Sequence, residues 1–563
     1  MKRTSLYWFN CVLLTMLALA LGGCGGGGGG GDDTLTPVMI IGTDTSGTAY
    51  NPPADWTAQA GPWNGKGARY NPASGKLVFE AYRDDIRGGS ISPGPGDPLI
   101  TAAGVTEYYV AGPGTGIIDE SGTTVLYVAN ADGSSPVCIG CIDVVDGQNG
   151  VAIYKVVPST TDTPNTVTPQ AGAAVYANQN KELAAWYPDG SWIIVGVEMP
   201  RHALTHAQGS PEMGLFNDLW AISADGKTWV QLTDFAGSWS HFDPVAQIPY
   251  ACAQTAYCSP GCQYWKTVRY PYDAYSCSAL DAPPPASGTM RPTLSNGFSG
   301  NVPGSAKLAW AERVGISPLY TWGGALQIAL ADVVFSGGLP TLVNYERNLT
   351  PTPDRPDGQG LWSNPAGNTV IGAGYEVWSF SEDDSILAFA SDVFFSTSDP
   401  VVNRTVSPTS QTFADAIAWH RQAPQTLTNI TAYDAAIYSY ADNAALYPIS
   451  KYGHWEEPIV VSLGATVPFY AFASSANLTP NWDPSTYDSF VATFGLETWV
   501  IPVDRSQPAI KVTHFNEPET APRTWAYPTA FNPDDQFLYL TVVPGGPGLN
   551  PPGNIYVLAA PLY

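Results

Sequence analysis

Four glutamates occur where a carboxylate could take part in acid–base chemistry. Glu456 and Glu457 follow Trp455 directly, and packing against an apolar ring raises the pKa of a carboxyl group, as a general acid requires. Glu198 follows an apolar, strand-like run that ends at Val197, and Glu376 stands just before another that begins at Val377. These four residues are the candidates for catalysis. The alternative for Glu456 and Glu457 is that they accept backbone N–H bonds at the start of a repeat unit.

Histidine is scarce, with 6 residues in a chain of 563. His202 and His206 have the i, i+4 spacing of the zinc ligands in His-Glu-x-x-His proteases. The intervening Ala-Leu-Thr lacks the glutamate of that motif. His202, His241 and His454 are the candidate metal ligands, with solvated loop histidines as the alternative. We predict neither a metal nor a cofactor.

Eight cysteines are present, and six of them lie in the body of the chain: Cys138, Cys141, Cys252, Cys258, Cys262 and Cys277. An even number of cysteines in an exported chain predicts a framework of disulfides. The simplest arrangement pairs Cys138 with Cys141 and places two further disulfides within residues 252–277. Two alternatives stay open: a redox-active Cys-x-x-Cys pair and a four-cysteine zinc site.

The N-terminus has the composition of an export signal. A basic start, Met1-Lys2-Arg3, precedes an apolar run from Val12 to Leu21, which is shorter than the ~20 residues of a membrane span. The run ends in Leu21-Gly22-Gly23-Cys24, which resembles the lipobox of bacterial lipoproteins. The resemblance implies removal of residues 1–23 and lipid attachment to Cys24. An ordinary signal peptide is the alternative.

A flexible tether follows the proposed lipid site, because Gly25 to Gly31 is an unbroken run of seven glycines. The tether is predicted to extend over residues 24–35. Position 25 is glycine and not aspartate, which by resemblance to enterobacterial sorting rules favours the outer membrane. We therefore expect an exported protein that is lipid-anchored in the bacterial cell envelope.

The charge balance excludes one class of partner. The chain has 24 Lys+Arg against 49 Asp+Glu and a net charge of −25. Nucleic acid and anionic lipid surfaces are bound through basic patches, so nucleic acid is not expected as a partner. The aromatic content of 12% provides material for a large apolar core.

The body of the chain repeats one supersecondary unit. In the clearest copy, two apolar runs flank Pro188-Asp189-Gly190, and a second pair of runs flanks Asp225-Gly226. Such turns connect antiparallel strands, and four strands in two hairpins form one blade of a β-propeller. Weaker copies occur at residues 70–79, 125–133, 301–310, 377–389, 469–504 and 531–558.

These copies resemble the TolB-type, WD40-like propeller repeat, in which Ser-Pro-Asp-Gly, Asp-Leu-Trp, Asp-Gly and Leu-Thr follow one another. The resemblance implies an all-β propeller in a single domain, residues 36–563, with a cysteine-rich insertion at about 245–300. Six blades are expected, and seven or eight remain open. A propeller fold does not by itself identify an activity.

In a TolB-type blade, the loop between the second and third strands and the loop into the next blade lie on one face. This order assigns most of the scarce polar and aromatic residues to that face. The resulting candidates for ligand binding are Arg201, His202, His206, His241, Tyr264, Trp265, His454 and Trp455. We expect a binding or scaffolding module for a protein or glycan ligand. The alternative is a glycoside hydrolase or polysaccharide lyase that acts on extracellular polysaccharide.

Overall fold

The computed structural model describes the strands of the domain and the shorter connections between them. All the residues it describes belong to the compact unit Thr36–Tyr563. They are residues 36–43, 48–52, 65–83, 86, 123–157, 166–177, 179–198, 217–233, 242–243, 248–249, 286–314, 325–346, 375–381, 383–391, 434–439, 445–448, 459–462, 469–475, 495–502, 507–517, 523–532, 537–544 and 553–559.

Across these described residues the secondary structure is β throughout, as 31 strands. Two strands come first, β1 (Val38–Thr43) and β2 (Ala49–Tyr50). Blade 1 comprises β3 (Lys66–Asn71), β4 (Lys76–Arg83), β5 (Thr123–Asn130) and β6 (Val137–Ile139). Four strands then lead to the second blade: β7 (Val144–Val145), β8 (Ala152–Val157), β9 (Thr166–Pro169) and β10 (Ala174–Val175).

Blade 2 comprises β11 (Lys181–Trp186), β12 (Trp192–Glu198), β13 (Asn217–Ser223) and β14 (Thr228–Gln231). The short strands β15 (Phe242–Asp243) and β16 (Ile248–Pro249) follow it. Blade 3 comprises β17 (Ala286–Leu294), β18 (Ala306–Val314), β19 (Ala325–Ser336) and β20 (Leu339–Glu346). Blade 4 comprises β21 (Tyr375–Phe380), β22 (Ile386–Ser391), β23 (Asp434–Ser439) and β24 (Ala445–Pro448).

Blade 5 comprises β25 (Ile459–Val461), β26 (Phe469–Ser474), β27 (Glu497–Pro502) and β28 (Ile510–Lys511). The last strands are β29 (Thr524–Phe531), β30 (Phe537–Pro544) and β31 (Asn554–Ala559). In blades 1 to 5, four consecutive strands form an antiparallel meander. The sixth blade differs, because its fourth strand is the N-terminal β1, which pairs with β31.

The six blades close into a ring. The first strand of each blade contacts the first strand of the next in the order β3, β11, β17, β21, β25, β29 and back to β3. The all-β propeller predicted from the repeats is therefore confirmed, and the described strands make six blades. Sequence reasoning missed that β1 completes the last blade, and that β8 and β9 extend blade 2 through a parallel pair between β8 and β14.

The polar signature of the repeat has a structural cause at the end of each first strand. In blade 4, the backbone N–H of Ser381 donates to the carbonyl of Ile386, while the N–H of Ile386 donates to the Ser381 hydroxyl at 3.0 Å. Three other blades use the same reciprocal pair. The pairs are Ser295 with Lys307, Ser462 with Phe469, and Asn532 with Phe537. A short oxygen-bearing side chain thus closes the first hairpin of the blade.

The Leu-Thr element closes the second hairpin in a similar way. The hydroxyl of Thr233 accepts the backbone N–H of Leu219 at 2.8 Å and donates to the carboxylate of Asp218 at 2.9 Å. In blade 5, Thr513 accepts the N–H of Thr498 and donates to Glu497. All of these groups are buried, so the hydroxyl satisfies two polar partners that water cannot reach.

Side chains also join each blade to its neighbour. The Asn296 amide of blade 3 donates to the carbonyls of Phe380 and Ser381 in blade 4, at 3.1 and 2.9 Å. Similar bonds from a side chain to a neighbouring backbone occur elsewhere around the ring: Asn71 to Tyr187 and Pro188, Thr289 to Asn217, Ser379 to Ile459, and Thr498 to Ala526. They satisfy backbone carbonyls of the neighbouring blade, several of which belong to its first strand, the edge of its own sheet.

Closure of the ring predicts a steric effect at Gly42 in β1. Gly42 has φ +140°, and a Cβ there would lie 2.1 Å from Oδ1 of Asn554, the atom that accepts the backbone N–H of Thr43. We expect Gly42→Ala to lower the free energy of unfolding by about 1–3 kcal/mol more than Gly147→Ala does. Gly147 also has a positive φ, but a Cβ there would meet no atom within 4 Å. Equal losses of unfolding free energy in the two variants, measured by urea denaturation, would contradict the role of β1 in closing the ring.

Candidate functional site

The first strands of all six blades surround a central channel. At the end where these strands turn into the second strands, a cavity of about 80 Å³ is bounded by at least one residue from each blade. Its walls include Arg69, Trp186, Asn296, Trp378, Val461 and Phe531. Ligand pockets usually measure ~300–1,000 Å³, so this end of the channel is too small for a sugar ring or a peptide.

Charged side chains on the first two strands of blade 1 bond to the backbone of the neighbouring blades. The Arg69 guanidinium of blade 1 donates to the carbonyl of Thr529 in the sixth blade. The Glu80 carboxylate, 4.0 Å from the Lys66 ammonium, accepts the backbone N–H of Leu183 in blade 2. Burial lowers the pKa of Arg69 to about 10, against the opposing effect of Glu80, so Arg69 is a cation at neutral pH.

Glu376, one of the four candidate catalytic residues, is half of a buried ion pair. Its Oε2 lies 2.6 Å from Nε of Arg291 in blade 3, and its side chain is only 3% exposed. The guanidinium carbon of Arg291 also lies 3.9 Å from the centre of the Trp378 ring, a favourable cation–π geometry. The structure corrects its position, since Glu376 is the second residue of β21 and does not precede the strand.

Glu198, the other candidate described by the structure, ends β12 and is also buried. Its Oε2 accepts the Asn180 amide at 2.7 Å and the Asn180 backbone N–H at 3.2 Å. Asn180 in turn accepts bonds from Thr123 and Thr124 of blade 1. Glu198 and Glu376 thus belong to blades 2 and 4, which are not neighbours in the ring, and each is engaged in joining a blade to the one before it.

Lys181 is a buried cation next to this network. Its Nζ donates to three backbone carbonyls, those of Tyr176, Ala177 and Gln179, at 3.0, 3.3 and 2.7 Å. Burial lowers the pKa of Lys181 to about 7, although Glu198 and Asp143 oppose that shift. Its bonds to three carbonyls make Lys181 a residue that holds the entry to blade 2.

The predicted disulfide between Cys138 and Cys141 is confirmed, with the Cα atoms 5.9 Å apart. It lies at β6, on the outer edge of blade 1. Nη1 of Arg83 lies 3.6 Å from Sγ of Cys141 and donates to the Tyr127 hydroxyl at 2.5 Å. That hydroxyl is 3.5 Å from the same sulfur. A buried arginine and a tyrosine therefore both face one sulfur of the pair.

The remaining predicted site residues lie outside the described residues. They are Cys24, Arg201, His202, His206, His241, Cys252, Cys258, Cys262, Tyr264, Trp265, Cys277, His454, Trp455, Glu456 and Glu457. Within the described part of the chain, no group of three or more His, Cys, Asp or Glu residues could hold a metal ion. The same part contains no apolar helix long enough to cross a bilayer.

Sequence reasoning missed Arg69, Arg83, Lys181 and Arg291. One signal was available, because lysine and arginine together account for only 24 residues, and these four interrupt runs that otherwise read as buried strands. Arg291 also has φ +53° beside a shift in the register between β17 and β18. Such bulges redirect a side chain, and the local sequence does not predict where they occur.

Comparison with known proteins identifies no family for this chain. No family model matches the chain, and no curated protein matches its sequence. Similar solved structures include prolyl oligopeptidase B from Galerina marginata (9% identity, 92% of this chain and 43% of that chain, TM-score 0.33). Another is the Trypanosoma rangeli sialidase with the inhibitor DANA (8% identity, 93% of this chain and 59% of that chain, TM-score 0.34). A third is a PL25 ulvan lyase (10% identity, 91% of this chain and 85% of that chain, TM-score 0.34). The chain spans less than half of the prolyl oligopeptidase B chain. No catalytic residue can be carried over at this level of identity.

The ion pair predicts that substitution of Glu376 lowers the stability of the fold and does not remove a catalytic group. Removing one partner of a buried pair leaves the other charge uncompensated, so Glu376→Gln is expected to lower the free energy of unfolding by about 2–4 kcal/mol. The control is Glu517→Gln, which breaks a surface pair with Lys511 in which Glu517 is 51% exposed and is expected to cost less than about 1 kcal/mol. Unchanged stability of Glu376→Gln would restore Glu376 as a catalytic candidate.

The buried lysine predicts a pH dependence. The pKa of Lys181 falls from 10.5 in the unfolded chain to about 7 in the folded protein. Between these values the unfolded chain binds more protons, so stability rises with pH. We expect the stability difference between wild type and Lys181→Met to change by up to about 1.4 kcal/mol per pH unit in this window, in favour of wild type at higher pH. Parallel pH profiles of the two proteins would contradict the lowered pKa.

Proposed function

We propose that the protein is an exported, lipid-anchored binding module with a TolB-like propeller, which recognises a protein or glycan ligand through one face of the ring. The observation that carries the proposal is the asymmetry of the two faces. In each antiparallel meander, the first strand begins, the second ends and the third begins at the same edge of the blade. The chain's longest connections leave from this edge: residues 84–122, 199–216, 234–285, 347–374, 392–433 and 476–494.

The opposite edge of the ring is made of short turns. Residues 72–75, 187–191 and 224–227 connect adjacent strands directly, and their polar groups bond within the turn or to the neighbouring blade. The Asp189 carboxylate, for example, accepts both the backbone N–H and the hydroxyl of Ser191. A rigid ring that carries its long segments on one edge is the arrangement that suits recognition by loops.

The bonds that Glu198 and Glu376 make favour binding over catalysis as the function. A general acid and base must face a common substrate within reach of its reacting atoms. Glu376 is paired with Arg291, and Glu198 accepts both N–H groups of Asn180. Neither carboxylate lines the cavity in the channel. The two residues therefore support blade contacts, which leaves Glu456 and Glu457 as candidates for the enzymatic alternative.

Aromatic residues in the connections at this edge supply the proposed anchors, two in residues 234–285 and one in residues 449–458, which lead from β24 to β25. Tyr264, Trp265 and Trp455 have large apolar surfaces and few rotatable bonds, so ordering them on binding costs little entropy. The polar candidates Arg201, His202, His206, His241 and His454 would orient the ligand by hydrogen bonds. The glycine run after Cys24 would hold the acidic domain away from the anionic membrane surface.

A glycan array probed with the soluble chain from Asp32 onward tests this function. This chain contains the whole compact unit Thr36–Tyr563. For a glycan that binds, we expect Trp265→Ala or Trp455→Ala to weaken the affinity at least tenfold, the effect of losing about 1.4 kcal/mol at an anchor. The matched control is Phe298→Ala, because Phe298 is 52% exposed in the β17–β18 connection on the opposite edge.

Two outcomes would overturn the proposal. One is depolymerisation of a bound polysaccharide that Glu456→Gln or Glu457→Gln abolishes while the fold is retained, which would establish the hydrolase or lyase alternative. The other is equal loss of affinity in Phe298→Ala and the two tryptophan variants, which would place recognition away from the long connections.

A further inference from the structure

The disulfide at the outer edge of blade 1 has surroundings that a purely structural crosslink does not need. It spans only three residues in sequence, and β5 and β6 are already joined through the pairs Leu126–Ile139, Tyr127–Cys138 and Val128–Val137. A disulfide stabilises mainly by closing a loop in the unfolded chain, and the gain is smaller for a shorter loop. The crosslink therefore contributes little to the stability of the blade.

Hydrogen-bond donors converge on one of the two sulfurs. Arg83 is buried, and its Nη1 lies 3.6 Å from Sγ of Cys141 and 2.5 Å from the Tyr127 hydroxyl. The Tyr127 hydroxyl lies 3.5 Å from the same sulfur. The hydroxyl accepts the bond from Arg83 and lies within reach of Cys141 as a donor. A thiolate at Cys141 would thus be stabilised by a guanidinium and a phenol together.

The loop between the two cysteines lies against a second basic residue. Gly140 has φ +85°, and a Cβ there would lie 2.7 Å from Cε of Lys181. The lysine stem therefore packs directly under the Cys-Ile-Gly-Cys turn. The nearest carboxylate in sequence, Asp143, accepts the backbone N–H of Ala177 at 2.9 Å. The charged groups of blades 1 and 2 that border the turn are therefore Arg83, Lys181 and Asp143.

The outer side of the turn is apolar and exposed. Val137 and Ile142 directly flank the two cysteines and are 64% and 70% exposed, the highest values among the large exposed hydrophobic residues of the described structure. Exposed apolar groups beside a disulfide favour contact with another molecule that carries a thiol, because their burial on contact is favourable.

From these contacts we propose that Cys138–Cys141 is a site of thiol–disulfide exchange with an external dithiol, with Cys141 as the leaving group. A thiolate of the dithiol attacks Sγ of Cys138, a new sulfur–sulfur bond forms there, and the Cys138–Cys141 bond breaks. The bond electrons go to Cys141, which leaves as a thiolate next to Arg83 and Tyr127. The second thiol of the dithiol, as a thiolate, then attacks the first sulfur of the dithiol in the mixed disulfide. Cys138 leaves as a thiolate. Two electrons pass to the protein, and the dithiol becomes a disulfide.

The test measures reduction of this disulfide in the folded chain from Asp32 onward. Dithiothreitol is the dithiol probe and reduced glutathione the monothiol probe, and alkylation followed by peptide mapping reports each cysteine separately. We expect reduction of Cys138–Cys141 without loss of the circular dichroism signal. In Arg83→Met the rate is expected to fall roughly tenfold, because a less stabilised thiolate leaves more slowly. Tyr127→Phe is expected to show a smaller fall.

A second readout separates exchange from a structural role. In the reduced protein, the midpoint pH of Cys141 alkylation by iodoacetamide should move to higher pH in Arg83→Met and Tyr127→Phe, and Arg83→Lys should restore it in part. The control is Lys227→Met, which removes one exposed cation at the β13–β14 turn and should change neither the rate nor the midpoint. If Arg83→Met fails to fold, Tyr127→Phe and Arg83→Lys still decide the matter.

Three results would overturn the proposal. They are reduction only after unfolding, a rate that is unchanged in the folded Tyr127→Phe and Arg83→Lys variants, and an alkylation midpoint that no variant moves. Faster reduction by dithiothreitol than by glutathione supports an external dithiol, and the reverse order contradicts it. Because no step uses the long connections, failure of exchange leaves the proposed binding function untouched.

Discussion

Closure of the ring depends on hydrogen bonds to the backbone groups at the unpaired edge of each innermost strand. The first strand of a blade pairs with the second strand on one side only, and its other edge faces the neighbouring blades. Unpaired backbone groups that are buried cost free energy. In this protein, side chains such as Asn71, Asn296 and Ser379 reach across the boundary and bond to the backbone of the next blade. The last boundary is closed by backbone contact, since Gly65 donates to the carbonyl of Gly553 at 2.7 Å.

The same requirement explains where the scarce basic residues are used. Arg69, Arg83, Lys181 and Arg291 lie within or beside the strands of blades 1 to 3, where each contacts a carbonyl, a carboxylate or a hydroxyl. A cation that is buried must be paired, and Glu376 provides such a partner.

Local turn chemistry made the blades predictable, whereas contacts between distant segments did not follow from the sequence. The Pro188-Asp189-Gly190 hairpin and its weaker copies predicted strands that the structure contains, and hence the propeller. β1 was missed because it has no turn signature and its partner β31 lies at the other end of the chain. Glu198 and Glu376 were singled out as candidate catalytic residues, but the sequence could not show that Asn180 and Arg291 face them. Such pairs form only when the ring closes.

The inner and outer edges of a blade are therefore under different constraints. The inner strand of each blade contacts the inner strands of both neighbouring blades. Its charged side chains therefore bond across the blade boundaries. The outer strand has a neighbour only within its own blade, and it is here that the chain departs from the four-stranded pattern. β8 and β9 are added outside β14, and the disulfide lies on β6. Opening that disulfide would leave the backbone pairs between β5 and β6 in place. The outer edge can thus host chemistry that keeps the backbone pairing of the blade, and the contact that it shares with blade 2 is the packing of Lys181 under Gly140.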